Sequence, residues 1–277
     1  MKTSQKYLLL VLLFSILPIN ISYSQNNWQR AYRYQGDLYC EGMCQTNNGD
    51  YFLLLKGSGA LIYKINSYGD SLTSIPYPSR TGYTCISTDD GGILFTGRGV
   101  TSSEKPYSVR LNPQGNIYWD NIYSSGFSGL GFNDIIKTPN CYLAAGNGVL
   151  KFSLNGNFIW TKVYPYSFTK LYYSVIEAID EGYLLAGEVC DGIGQPTVGV
   201  ITKIDTAGVL QWEKRYTIGD PNNGLKQLKV VKRNNTYYAG GYCADPPIGG
   251  SAVVTILKLN TEGIVQDTIK FQKDTVF

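Results

Sequence analysis

The 277-residue sequence predicts an all-β protein built from a repeated unit. The composition favours strands and turns, with 23 Tyr, 10 Phe, 31 Gly and 11 Pro. Apolar runs of strand length alternate with clusters of Gly, Asn and Asp, which is typical of short strands joined by turns. A strand-and-turn motif then recurs at intervals of 41 to 55 residues. A fixed motif at such intervals indicates a repeat architecture.

The recurring motif is a short strand that ends in a tight turn. An Asn, Asp or Ser stands three residues before a Gly. The polar side chain can accept a backbone N–H, and Gly can adopt the positive φ that closes a hairpin. A Ca²⁺ loop needs several carboxylates at alternate positions. These turns carry at most two, so we predict turns rather than metal sites. The copies lie at 62–69, 108–115, 150–156, 201–208 and 256–263.

An aromatic pair follows three of these turns, with a Trp four residues after the Gly and a Tyr four residues later. Side chains alternate along a strand, so both rings lie on one face. We predict that the rings pack between neighbouring sheets, with a carbohydrate-stacking platform as the alternative. Thr73 and Asp267 replace the Trp in the first and fifth units, as expected of atypical end units. The pairs are Trp119/Tyr123, Trp160/Tyr164, Trp212/Tyr216 and, near the start of the chain, Trp28/Tyr32.

Each turn is preceded by an apolar strand that ends in Gly, and by a further short strand before that. The apolar runs are continuous enough for strands buried on both faces. Four strands per unit with this period are typical of β-propeller blades. We therefore predict a β-propeller of about five four-stranded blades, with five to six blades and an incomplete ring as alternatives. The sequence predicts a strand near each end of the chain, at 28–32 and at 264–271. It does not decide whether these two strands share a blade and so close the ring.

These units resemble the β-propeller repeats of large bacterial cell-surface proteins, the SBBP-like repeats. In that family a strand, an Asp/Asn-x-x-Gly turn, a Trp strand and a Gly-rich buried strand follow one another. The resemblance extends from Trp28 to about Phe271. It implies a propeller fold in a Bacteroidetes-type secreted protein. It implies no ligand, because propellers range from scaffolds to enzymes. Related surface proteins often carry a C-terminal sorting domain, and its absence after Phe271 would fit a fragment.

The first 24 residues have the character of a signal peptide. Lys2 and Lys6 precede an apolar run at 7–17, and Ser22-Tyr23-Ser24 supplies a small-x-small cleavage site. The apolar run is shorter than the roughly 20 residues that span a bilayer. We expect a signal peptide at 1–24 and a single β-propeller domain at 25–277. The mature chain would be extracellular or on the outer cell surface, with no transmembrane segment.

Six cysteines lie in the exported part, where an oxidising compartment permits disulfides. The sequence leaves all 15 pairings open, and burial as small apolar side chains is the alternative. On one face of a strand, Cys40 and Cys44 would be roughly 13 Å apart, too far for a direct bond. Cys190 and Cys243 follow the same strand end in successive units and are predicted to lie in similar loops. The six are Cys40, Cys44, Cys85, Cys141, Cys190 and Cys243.

The residue content narrows the possible chemistry. The chain has no His, which excludes Ser-His-Asp and Cys-His nucleophiles and His-ligated metals. The net charge of +3 is scattered, so nucleic acid is not an expected partner. No catalytic residue, cofactor or metal is predicted. The enzymatic alternative is a glycan-active hydrolase in which Glu41, Asp134 and Glu177, near the inner strands, supply the acid and base, although they lie at different depths.

The leading hypothesis is a non-enzymatic binding or scaffold module whose partner is an extracellular protein or glycan. Loops on a rigid scaffold commonly carry variable function. The loops at 190–197 and 244–251 are rich in Gly and Pro, and we expect them to lie side by side. The candidate binding residues in them are Asp191, Gln195, Asp245 and Pro247.

Four short sequences resemble the Asp-Ser/Thr-apolar site at which Bacteroidetes-type bacteria O-glycosylate exported proteins. Asp-Thr is also ordinary turn chemistry, which is the alternative interpretation. The candidate acceptors are Ser71, Thr206, Thr268 and Thr275.

Overall fold

The computed structural model describes residues 38–57, 59–78, 80–99, 105–123, 131–166, 168–217, 224–244 and 252–271. All of them fall within one compact unit, Arg33–Phe277. The predicted signal peptide and the strand at 28–32 lie outside the described residues. Their structures therefore stay predictions.

Twenty strands in the described ranges form five antiparallel sheets of four strands each, in chain order. We name these sheets blades A to E. Blade A comprises β1 (Tyr39–Gln45), β2 (Tyr51–Lys56), β3 (Ala60–Ile65) and β4 (Ser71–Tyr77). Blade B comprises β5 (Arg80–Ser87), β6 (Ile93–Gly99), β7 (Pro106–Leu111) and β8 (Ile117–Ile122). Blade C comprises β9 (Phe132–Lys137), β10 (Cys141–Gly146), β11 (Val149–Ser153) and β12 (Phe158–Lys162). Blade D comprises β13 (Thr169–Glu177), β14 (Tyr183–Cys190), β15 (Val198–Ile204) and β16 (Leu210–Tyr216). Blade E comprises β17 (Lys226–Arg233), β18 (Thr236–Ala244), β19 (Ala252–Leu259) and β20 (Val265–Phe271).

The predicted turns join the third and fourth strands of the blades. In blade A, Asn66 Oδ1 accepts the N–H groups of Tyr68 at 2.9 Å and Asp70 at 2.8 Å, and Gly69 adopts a φ of 82°. These side-chain contacts replace backbone hydrogen bonds that a sharp reversal would lose. The prediction of turns is confirmed. The same role falls to Asn112, Asp205 and Asn260, and blade C uses the Ser153 hydroxyl.

The hydrophobic core is divided among the four interfaces between consecutive blades. The second strands supply much of it, and β10 is buried along its whole length, as the apolar runs predicted. The first strands β1, β5, β9, β13 and β17 contact one another in turn, so they are the innermost strands. Within the described ranges no such hydrophobic cluster joins blade E to blade A.

The outer face of blade E differs from the corresponding face of the other blades. Val231, Val254, Ile269 and Phe271 are 48–60% exposed, and β20 is exposed along its whole length. In blade D the corresponding face packs against the next blade. Blade E is therefore an atypical end unit, as the Asp267 substitution predicted.

The Trp–Tyr pairs pack against the turn of the next blade. Tyr164 Oη donates a hydrogen bond to the carbonyl oxygen of Gly208 at 2.9 Å, and Tyr216 Oη to that of Gly263 at 2.8 Å. A Cβ atom on Gly208 would lie 3.0 Å from the Trp160 ring. Packing between sheets is confirmed, and these rings do not form an open stacking platform.

Candidate functional site

The two ends of the blades differ in their connections. The end that we call the turn end joins strands one to two and three to four, with two to five residues each. The opposite end, the loop end, joins strands two to three and each blade to the next. Its connections range from two to nine residues. Variation in length is therefore concentrated at the loop end.

A β-bulge interrupts the first strand of each blade near the loop end. In blades A to D the register shift leaves one extra residue. In blade E the shift spans Lys226 to Lys229, and Gln227 adopts a φ of 49°. Bulges redirect side chains and are common beside functional sites. We call these five positions the bulge rim: Glu41, Tyr83, Asn133, Tyr173 and Gln227.

The bulge rim was not predicted from the sequence. A bulge is defined by two residues of one strand facing a single residue of its partner, so it depends on pairing across the ladder that the sequence of one strand does not show.

Rim contacts cross the interface between blades A and B. The Nζ atom of Lys56 lies 3.3 Å from Glu41 Oε1 and 5.0 Å from the centre of the Tyr83 ring. Lys56 ends the second strand of blade A, so its ammonium group reaches the bulge of the next blade. The ammonium group is attracted both to the carboxylate and to the face of the ring, so one side chain links the rim positions of the two blades.

A second polar cluster spans blades D and E. Tyr173 Oη donates to Glu188 Oε1 at 2.9 Å, and the backbone N–H of Gln227 donates to Glu188 Oε2 at 2.9 Å. Burial, reinforced by the Glu188 charge, raises the pKa of Tyr173. The phenol therefore stays neutral and remains a hydrogen-bond donor at physiological pH.

The 190–197 loop lies at the loop end of blade D and contains Asp191 and Gln195. The Asp191 carboxylate forms a two-pronged ion pair with Arg215, with Nη2 to Oδ1 at 3.1 Å. Hydrogen bonding to this guanidinium lowers the pKa of Asp191. The Gln195 N–H donates to the Gly192 carbonyl at 3.1 Å, and Ile193 at the tip is 88% exposed. The loop thus presents an apolar tip on a fixed base.

The other predicted loop gives a mixed result. Asp245 and Pro247 lie outside the described residues, so their position beside the 190–197 loop stays a prediction.

The prediction that Cys190 and Cys243 occupy similar loops is wrong. Cys243 lies within β18 and is buried, whereas Cys190 ends β14 and is partly exposed. When β14 and β18 are aligned by their ladder partners, Cys190 and Cys243 are one position apart. Side chains at adjacent positions of a strand face opposite ways.

Comparison with known proteins identifies the fold. No family model and no curated protein matches the chain. Among solved structures, a protein of unknown function from Bacteroides caccae matches with a TM-score of 0.56 and 16% identity, over 87% of this chain and 84% of that chain. The WD40 β-propeller domain of Doa1 matches with a TM-score of 0.57 and 9% identity, over 87% of this chain and 71% of that chain. The described part of the chain is a β-propeller of five four-stranded blades.

The inner-strand carboxylates of the propeller have separate structural roles. Asp134 accepts the N–H of Val175 in the next blade at 2.8 Å, and burial raises the pKa of this carboxyl. Glu41 pairs with Lys56. Glu177 ends β13 at the turn end, four residues beyond the rim, which is roughly 13 Å along a strand. Glycosidases place their two carboxyl groups about 5–9.5 Å apart. Glu177 is separated from the rim by more than this along the strand, and the Asp134 and Glu41 carboxylates each contact a partner of their own.

A buried ion pair stabilises the loop end of blade D. The Lys170 side chain is 1% exposed, and its Nζ donates to Glu213 Oε2 at 2.8 Å and to the Pro165 carbonyl at 2.7 Å. Arg80 and Asp120 form the corresponding pair in blade B, at 2.8 Å. The sequence signal for both pairs is the acidic residue directly after the Trp of these units.

The described part of the propeller contains no group of three or more His, Cys, Asp or Glu side chains that could hold a metal ion. Over the same ranges no helix is long and apolar enough to cross a membrane.

Three of the four candidate glycosylation acceptors lie on the described surface of the propeller. Thr206 is exposed in a turn, and Thr268 is exposed on β20. Ser71 begins β4, and its hydroxyl accepts a 2.8 Å hydrogen bond from Tyr63. The preceding Asp205 uses its carboxylate within its own turn, as the alternative interpretation requires. Thr275 lies outside the described residues, and modification stays a prediction.

Proposed function

We propose that this propeller is an exported, non-enzymatic binding or scaffold module that holds an extracellular protein or glycan at its loop end. The asymmetry between the two ends carries this proposal. Short repeated turns close one end, whereas the other combines loops of varied length with the bulge rim. A rigid scaffold with variable loops at one end is a common arrangement for recognition. Export rests on the signal sequence at 1–24.

The chemistry of the loop end suits a polar ligand with apolar faces, such as a glycan or a peptide. Tyr83 and Tyr173 each offer a ring and a hydroxyl group, and Glu188 and Lys56 offer charges beside them. Sugar rings and peptide side chains both use aromatic faces together with a few placed polar groups. Ile193 adds an exposed apolar contact on the adjacent 190–197 loop.

A glycan array probed with the purified chain tests this proposal. We expect binding that is weakened at least about tenfold by Tyr83→Ala or Ile193→Asp, equivalent to about 1.4 kcal/mol. The matched control is Tyr68→Ala, because Tyr68 is 64% exposed in a turn at the opposite end. Binding that is lost with Tyr68→Ala and kept in the loop-end variants would overturn the assignment of the loop end.

The hydrolase alternative is distinguished on the same array. Release of reducing ends from the bound glycans, abolished by Glu177→Gln, would establish an enzyme instead. We expect no release, because Glu177 ends β13 at the turn end, roughly 13 Å along the strand from the rim.

A further inference from the structure

Cys44 and Cys85 face each other across the interface between blades A and B. They lie on the innermost strands β1 and β5, which contact each other directly, and they share one hydrophobic cluster. A hydrogen bond between the two thiols, together with burial, raises the pKa of Cys85. A Cβ atom at the neighbouring Gly42 would lie 3.2 Å from Cys85 Sγ, so the two strands pass closely here.

The corresponding position at each of the other three described interfaces holds two aliphatic side chains. These positions are found by counting from the bulge: three residues beyond it on one blade and two residues beyond it on the next. In blade E the bulge takes up both residue 227 and residue 228, so the count there starts from residue 228. Each aliphatic pair shares a hydrophobic cluster, as Cys44 and Cys85 do. The pairs are Ile86 with Ile135, Ile136 with Val175, and Ile176 with Val230.

The interface between blades A and B therefore carries two thiols at the position where the other three described interfaces carry two aliphatic side chains. A lone buried Cys behaves as a small apolar side chain, and either thiol by itself would need no other explanation. Here the two thiols contact each other across the innermost strands of neighbouring blades, and two sulfur atoms in contact are the starting arrangement for a disulfide. The two thiols also lie at the interface between blades A and B. Within the described residues, this is the interface whose hydrophobic cluster attaches blade A to the rest of the propeller.

We propose that Cys44 and Cys85 form a disulfide that ties the first strand of blade A to the first strand of blade B. The oxidant is the disulfide of an external dithiol oxidase or of oxidised glutathione. Each Cys loses one proton, a new S–S bond forms, and the oxidant disulfide accepts the two electrons and two protons as two thiols. The bond closes a chain loop of about 40 residues, and such loop closure restricts the unfolded chain. The inference is independent of which ligand the loop end binds.

Peptide mapping of the full chain after incubation with oxidised and reduced glutathione tests the pairing. Free thiols are alkylated under denaturing conditions, and the digest is compared before and after reduction. We expect a linked peptide that contains Cys44 and Cys85, with four of the six cysteines alkylated in the oxidised sample. Six alkylated cysteines, or a linked peptide that joins other cysteines, would overturn the proposal.

Thermal unfolding with and without a reductant tests the effect on stability. Reduction should lower the Tm of the native chain by about 5–10 °C. The double variant Cys44→Ile/Cys85→Val restores the aliphatic pair of the other interfaces, so it should fold and lose its sensitivity to the reductant. Cys190→Ser is the matched control, because it should keep that sensitivity. A reductant effect that persists in the double variant would assign the disulfide elsewhere.

Discussion

The hydroxyl group of Tyr164 donates a 2.9 Å hydrogen bond to the carbonyl oxygen of Gly208 in the next blade. Trp160, four residues earlier in the chain on β12, covers the same glycine. The Tyr contact recurs between Tyr123 and Gly156, and between Tyr216 and Gly263. The aromatic pair of one unit and the turn glycine of the next therefore form a single contact between blades. The stability of such a repeat protein comes from the units and these nearest-neighbour interfaces.

Gly208→Ala should reduce the free energy of unfolding by about 2–4 kcal/mol. A Cβ atom there would lie 2.9 Å from Lys162 Cγ and 3.0 Å from Trp160, and the residue also has a φ of 81°. Gly194→Ala is the matched control, since Gly194 has a φ of 76° with nothing within 4 Å. It should cost only about 1 kcal/mol, from the backbone alone. Equal losses in urea unfolding would show that Trp160 does not pack on this turn.

Tyr164→Phe should reduce the free energy of unfolding by about 1–2 kcal/mol, because the hydrogen bond to Gly208 is lost. Tyr118→Phe serves as the control, since Tyr118 is 59% exposed. Its effect should stay within about 0.5 kcal/mol. Urea unfolding followed by fluorescence measures both changes. A Tyr164→Phe variant as stable as the native chain would contradict the role assigned to this hydroxyl group.

Lys170→Met should reduce the free energy of unfolding by about 3 kcal/mol, because it leaves the Glu213 carboxylate without its ammonium partner in a largely buried site. Adding Glu213→Gln should recover part of the loss by removing the unpaired charge. The surface pair of Lys137 with Asp89, whose side chain is 77% exposed, provides the comparison. Lys137→Met should cost less than about 1 kcal/mol. Similar losses for the two lysines in chemical unfolding would argue against a buried pair.

Stability should fall as the pH rises above about 10, the ordinary pKa of Tyr in an unfolded chain. Burial raises the pKa of Tyr183 to about 12, and it also raises the pKa of Tyr164, Tyr172 and Tyr216. The folded state therefore holds protons that the unfolded state has lost between these values, so the stabilisation is complete below pH 10 and declines through that window. Urea unfolding at a series of alkaline pH values measures the decline. Tyr183→Phe should make it shallower, and an unchanged slope would contradict burial as the cause.

Most of the architecture could be predicted because each blade carries its own local signals. The Asn66 turn, the apolar run of β10 and the Trp160/Tyr164 pair are each visible within a few residues of sequence. The turn and the apolar run recur in five units and the aromatic pair follows three of the turns, and together these repetitions indicate a propeller. The candidate site was predicted only in part, since Asp191 and Gln195 lie in an ordered loop at the variable end, whereas the bulge rim was missed. The hydrolase carboxylates could not be evaluated from strand position alone, because Asp134 is bonded by a backbone amide of another blade.

The sequence by itself determined the all-β class, the four-stranded repeat and the turn chemistry, because all three depend on residues that are close in the chain. Only the tertiary structure decided which residues meet across blades: Tyr164 with Gly208, Lys170 with Glu213, and Cys44 with Cys85. The cysteines illustrate the physical reason. The sequence does not show which cysteines are neighbours. The register of β1 in blade A and the register of β5 in blade B place Cys44 beside Cys85, because a shift of one residue in either strand would turn its thiol to the opposite face.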